Sequence, residues 1–283
     1  MTLPTPSLLD LDTYWVRAAH YLGVRPDTMT PHPGSGGHVR SGPVTTGEGV
    51  PAWLRIWLAP QAEGGVWEGP SLAAHLFDER VPRPILFVEA AWTGDDATPV
   101  AREWAVQIHL YERLPSPPLS PTPVLTDPID PPREWWDELT EATAALRDLP
   151  PHPERWIITQ DGIDRAPRVL PELEGEDLTV ERWETAHGDL HWANLTAPSL
   201  RIIDWEGWGT APAGYDAAVL HTYALPVPEV ARRVREEFAE SLDGRDGRLA
   251  QIVVAAEVIH SAAHDDLHAA LEPFVRDWLK RLL

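Results

Sequence analysis

The spacing of apolar residues along the chain changes character near residue 114. Upstream, the apolar runs are short and alternating. Val106, Ile108 and Leu110 take turns with Gln107, His109 and Tyr111, the two-residue period of a half-buried antiparallel strand within 101–111. Residues 52–58, Ala-Trp-Leu-Arg-Ile-Trp-Leu, read as a strand with Arg55 near its centre, and residues 85–92 as another. A short helix is predicted over 70–77, with Glu68 just ahead of it. A first helix is predicted from Ser7 to Gly23, where Leu8, Leu11, Trp15, Val16 and Ala19 form a stripe between a capping serine and a stop glycine. Residues 31–50 are rich in Gly, Pro and Ser. They read either as a flexible loop or as a glycine-rich turn between two strands, with Gly34, Gly36 and Gly37 as candidates for bringing backbone N–H groups close to phosphates.

The run Leu114 to Pro123 alternates proline with small residues and cannot be a helix or a central strand. It divides the chain into 1–113 and 114–283. Beyond it the period becomes helical: Trp135, Leu139, Ala142 and Leu146 recur within 132–149, with Pro132 near the first turn. Consecutive helices are predicted over 214–225, 230–242, 248–264 and 267–282, and only short elements over 150–183. Leu200, Ile202 and Ile203 read as a short buried strand that ends at Asp204. A small antiparallel sheet first and helices after it is an α+β layout.

Composition narrows the function classes. The chain has no cysteine, which excludes disulfides and thiolate metal sites. No run of eighteen apolar residues is present to span a membrane, and the first residues lack a signal-peptide pattern, so a cytoplasmic protein is expected. A net charge of −21 argues against nucleic acid or an anionic membrane as partner. Of the 44 acids, 31 lie beyond residue 114, which suits either a cationic small-molecule partner or plain solubility. Lysine occurs once, at Lys280.

The chemistry concentrates in His187-Gly-Asp-Leu-His-Trp-Ala-Asn194 and the following Ile203-Asp-Trp-Glu206. Gly188 and Pro198 argue for a loop, so Asp189, Asn194 and Asp204 gather two carboxylates and an amide beside a strand end. Hard oxygen donors of this kind suit Mg²⁺, which shares its shell with phosphates. A competing reading puts His187, Asp189 and His191 on one side of a strand as ligands for a transition metal. It requires Gly188 inside the strand and leaves Asn194 and Asp204 without a role. Asp216, opening a helix after Gly214, reads as an N-cap or dipole partner.

These two motifs resemble the aminoglycoside phosphotransferase/choline kinase family, small-molecule kinases with a protein-kinase-like two-lobe fold. The resemblance implies an N-lobe built on a small antiparallel sheet and a mainly helical C-lobe, with ATP or GTP as co-substrate and Mg²⁺ as cofactor. It gives the catalytic part to Asp189, which orients and deprotonates an acceptor hydroxyl, with His187 as the scaffold of that loop. Asn194, Asp204 and Glu206 become metal ligands. The small-molecule acceptor would sit in the C-lobe, and the hinge that meets the adenine would fall near residues 110–114.

The chain departs from the family where a lysine on the third N-lobe strand should hold phosphates. Arg55 takes that place, with Glu68 or Glu79 as its expected partner and Gly36 in the glycine turn above. Arginine is longer and planar, and is not interchangeable with lysine at a phosphate site. A kinase-like binding protein that transfers nothing is therefore the alternative. His260, His264 and His268, four residues apart, read as surface or acceptor-pocket histidines rather than a zinc site.

Overall fold

The computed structural model describes residues 11–28, 30–34, 37–60, 68–93 and 104–283. They cluster into two compact units, one of residues 1–75 and 84–115, the other of residues 76–83 and 116–283.

The first unit is a sheet with strand order β1-β3-β4-β6-β5, formed by β1 (Arg25–Pro26), β3 (Val39–Thr45), β4 (Pro51–Pro60), β6 (Trp104–Glu112) and β5 (Leu86–Thr93). A two-residue β2 (His32–Pro33) also pairs with β3, so β1 and β2 are halves of one interrupted edge strand. All the pairings are antiparallel. Counted this way, β4 is the third of five strands.

Alternation sorts its side chains. Ala52, Leu54, Ile56 and Leu58 join Val106, Ile108 and Leu110 on one face, packed under helix α1 (Leu11–Tyr21). Trp15 of α1 is fully buried there, and its indole N–H donates to the Leu54 carbonyl at 3.1 Å. Gly42 of β3 is what lets the indole lie so close: a Cβ there would stand 3.0 Å from Trp15 Cζ2. The opposite face carries Arg55, His109 and Glu89 in one cross-strand row. Helix α2 (Gly69–Leu76) reaches that row through the Ser71 hydroxyl, which donates to Glu89.

The predicted cap of α1 at Ser7, and Gly36 in the glycine turn, lie outside the described residues. Of its described residues, Gly34 donates its N–H to the Val39 carbonyl at 3.1 Å.

The second unit is mainly helical. Helix α3 (Arg133–Arg147) buries Trp135, Trp136, Leu139, Ala142 and Leu146. After α4 (Gln160–Ile163) come two four-residue strands, β7 (Trp183–Ala186) and β8 (Gly209–Pro212), which pair antiparallel and bracket the motif region. Then follow α5 (Tyr215–Thr222), α6 (Pro228–Glu237), α7 (Ala239–Leu242), α8 (Arg245–Ser261) and α9 (Asp266–Leu282). Two expectations change here. The helix predicted over 230–242 is broken at Phe238, and 200–203 is no strand: only a single bridge joins Leu195 to Ile202. The apolar run is buried because it plugs the core behind the loop, not because it belongs to a sheet. No helix among the described residues is long and apolar enough to cross a membrane.

Candidate active site

Strand β7 delivers the chain to His187, and the loop beyond it is hung from one carboxylate. Asp216, in the first turn of α5, accepts the His187 N–H at 2.7 Å and the Gly188 N–H at 2.9 Å. It is 6% exposed, and burial raises its pKa to about 7 against those two donors. Gly188 has φ +86°, and a Cβ on it would lie 2.7 Å from Ile157 Cδ1. Only glycine passes that corner without strain.

His187 is 0% exposed. Its Nε2–H donates to the Ile203 carbonyl at 2.9 Å, its Nδ1 accepts the Asp189 N–H at 3.2 Å, and its ring meets Trp205 edge-on at 4.5 Å. Burial lowers its pKa to about 4, so it stays neutral. Grouped with the catalytic residues by sequence, it has neither nitrogen open to a reactant. It shapes the loop.

Asp189 is different: its side chain is 56% exposed. Desolvation would raise its pKa, but a hydrogen bond and charge from His191, with help from His187 and Asn194, hold the carboxyl below its ordinary value. Asn194 donates through Nδ2 to the Asp189 carbonyl at 2.8 Å and approaches Asp189 Oδ2 at 3.4 Å, which leaves its Oδ1 as a potential ligand oxygen.

Asp204 is brought to this loop by its neighbour. The Ile203 N–H donates to the Asn194 carbonyl at 2.9 Å, while the Ile203 carbonyl takes the His187 hydrogen bond. Asp204 itself adopts φ +72°, a region rarely used outside glycine, and such outliers cluster at functional sites. The turn after it is held by Arg155, whose Nη2 donates to the Glu206 carbonyl at 2.6 Å and Nε to the Trp208 carbonyl at 2.9 Å. Trp205 and Trp208 both pack edge-on against Phe77, at 5.1 and 4.8 Å. Glu206 is buried beside this turn, whereas Asp204 is exposed.

In the first unit, Arg55 lies opposite His109, which in turn lies opposite Glu89. Glu89 Oε1 accepts from Gln107 Nε2 at 2.9 Å and stands 3.5 Å from His109 Nε2. Neither expected partner lies in that cross-strand row. Glu68 is exposed in the turn before α2, and Glu79 is exposed among residues 76–83 of the second unit. The acid in Arg55's row is Glu89.

Sequence reasoning assigned no role to His191 at the oxygen site, nor to Arg155, Tyr223 or Glu89. The His191 spacing was visible, but its partner was not. His191 Nε2 lies 3.3 Å from Asp189 Oδ2. His268, one of the spaced histidines, takes a hydrogen bond from the Tyr223 hydroxyl at 2.8 Å and donates to Asp265 at 2.6 Å. Among the described residues no three His, Cys, Asp or Glu side chains are grouped to hold a metal ion. The oxygen site therefore offers two carboxylates and an amide rather than a histidine cage.

No protein-family model matches the chain, and no curated protein matches it significantly in sequence. Solved structures do match. A thermostable mutant of the aminoglycoside phosphotransferase APH(4)-Ia, determined with ADP and hygromycin B, aligns with a TM-score of 0.59 at 13% identity, covering 93% of this chain and 98% of that one. The macrolide 2'-phosphotransferase MphH from Brachybacterium faecium aligns at 0.58 and 17% identity over 93% and 98%. Choline kinase LicA from Streptococcus pneumoniae aligns at 0.55 and 11% over 96% and 99%. The chain has their fold, a protein-kinase-like two-lobe α+β fold with an antiparallel sheet in the N-terminal region and helices in the C-terminal region.

Proposed function

We propose that this protein is a small-molecule kinase, moving the terminal phosphoryl group of ATP or GTP to a hydroxyl of a small acceptor. One observation carries the reading. Both backbone groups of Ile203 are bonded into the 187–194 loop, which ties the chain next to Asp204 to the segment that carries Asp189 and Asn194. Fold-sharing enzymes that act on macrolides and choline, and one crystallised with ADP and hygromycin B, support the reaction class.

The donor set fits Mg²⁺. Asp204 and Asn194, with Glu206 nearby, provide the few hard oxygens that Mg²⁺ takes from protein when phosphates complete its shell. Bound there, the ion would neutralise charge on the transferring phosphates. Asp189, ionised and half open to solvent, takes the acceptor hydroxyl's proton. The hydroxyl oxygen then bonds to the terminal phosphorus as the bond to the bridging oxygen breaks, and the nucleoside diphosphate leaves. Asp216 and His187 keep the loop rigid, so little reorganisation is needed. In the first unit, Arg55, with Glu89 in its row, is the candidate cation for nucleotide phosphates.

The substitution of arginine for the family's lysine supports the alternative of a nucleotide-binding protein without turnover, and one experiment separates the two. Thermal-shift and turnover measurements with Mg²⁺-ATP and Mg²⁺-GTP, run against amino sugars, choline-like amines and sugars, should give both stabilisation and product. Asp189→Asn should lose turnover by several powers of ten and keep the nucleotide shift. Asp204→Ala should lose the Mg²⁺-dependent shift itself. Wild-type-like turnover in Asp189→Asn would end the kinase reading, and a nucleotide shift without product under any condition would favour the binding protein.

A further inference from the structure

The two carboxylate oxygens of Asp189 have different surroundings. Oδ2 faces His191 Nε2 at 3.3 Å and Asn194 Nδ2 at 3.4 Å. Among the described residues Oδ1 receives no hydrogen bond, and the side chain as a whole is 56% exposed. The asymmetry depends on His191, because Asn194 makes its shorter bond, 2.8 Å, to the Asp189 backbone carbonyl instead.

His191 is 8% exposed and fixed from behind. The Tyr223 ring lies 5.8 Å from it at 45°, and Tyr223 is itself tied to His268, which is tied to Asp265. His191 Nδ1 is enclosed, with no hydrogen-bond partner among the described residues. A hydrogen on Nδ1 would be an orphaned buried donor, which proteins avoid more strictly than an orphaned lone pair. A bare Nε2 would turn its lone pair on a carboxylate. Both arguments put the hydrogen on Nε2, aimed at Oδ2.

We propose, resting on the phosphotransfer reading above, that His191 is a positioning residue that occupies Oδ2 of Asp189 so that Oδ1 is the oxygen that receives the acceptor's proton. A carboxylate torsion is broad and nearly two-fold, so an untethered Asp189 would present either oxygen over a range of angles. Tethering Oδ2 leaves a single oxygen in a single direction. The hydrogen of the acceptor hydroxyl passes to Oδ1 as that hydroxyl's oxygen bonds to phosphorus, and no other group changes protonation.

The test compares His191→Leu, which removes the donor, with His191→Gln, whose amide nitrogen reaches about as far as Nε2. Steady-state Mg²⁺-ATP hydrolysis, with water as the acceptor, is measured beside Asp189→Asn. His191→Leu should lower kcat by roughly 10- to 100-fold, the scale of losing a supporting hydrogen bond to a reactive group, with KM for Mg²⁺-ATP unchanged. His191→Gln should recover most of it, and His191→Leu should add nothing to Asp189→Asn. A folded His191→Leu with wild-type kcat, or a His191→Gln as slow as His191→Leu, overturns the proposal while Asp189 keeps its role. Full activity in Asp189→Asn overturns the kinase reading beneath it. Should His191→Leu fail to fold or hydrolysis be immeasurable, long-range ¹H–¹⁵N spectra of the wild type decide. His191 must show its hydrogen on Nε2, with a resonance that moves in Asp189→Asn; a hydrogen on Nδ1 overturns the assignment.

Discussion

Arg55 shows how far one residue can be read and where reading needs structure. Its place at the centre of a strand is plain from the alternation of Trp53, Arg55 and Trp57 with apolar neighbours. Its company is not, because the antiparallel register that sets His109 and Glu89 in its row joins residues far apart in sequence. Glu68 was the nearer candidate in sequence, and the turn before α2 leaves it in solvent. Desolvation lowers the guanidinium's pKa. Arg55→Ala should weaken Mg²⁺-nucleotide affinity by roughly 1.5–3 kcal/mol, the scale of a hydrogen bond to a charged group, and Arg55→Lys should keep part of that. Isothermal titration of the three proteins checks this, and equal affinities would remove Arg55 from the donor site.

Among the elements, the 187–194 loop was the most readable, since Gly188 and the charged residues around it exclude a strand. The hairpin that holds it was not. β7 and β8 are four residues long and buried on both faces, so neither alternates. Nor could Arg155 be placed from sequence, for its carbonyl partners lie some fifty residues downstream, and nothing local marks it. The loop's corner gives a sharp prediction. Gly188→Ala should destabilise the protein by roughly 1–3 kcal/mol from its backbone conformation alone, with a further loss from the clash with Ile157. Adding Ile157→Ala should relieve the second part only. Chemical denaturation of the two single variants and the double variant separates them, and strict additivity would show that no clash exists.

At the scale of the molecule, the period change near residue 114 and the order of sheet before helices were enough to expect the α+β fold. Burial of ionisable groups was beyond the sequence. His221, deep in α5 with its ring 4.6 Å from Trp278, has its pKa pushed down to about 3 by burial and then by Arg235 and Arg281. A group whose pKa falls on folding stabilises the fold above its unfolded value near 6.5 and loses that contribution as pH drops towards 3. His187 acts in the same direction, while Asp216, raised to about 7, acts against them. The clean measurement is therefore a difference. Relative to His221→Phe, the wild type should lose stability on acidification below pH ~6.5, with a slope of at most about 1.4 kcal/mol per pH unit. Parallel stability curves for the two proteins would show that His221 carries no such linkage.

Helix α5 holds the His187–Gly188 corner at one end and the surroundings of His191 at the other. Asp216 in its first turn suspends the His187 and Gly188 amides, and Tyr223, just past its last turn, backs His191. A helix of this length is a stiff rod of about 12 Å, so it works as a lever. Its two ends flank the same aspartate, Asp189, so whatever fixes Tyr223 also bears on the corner at His187.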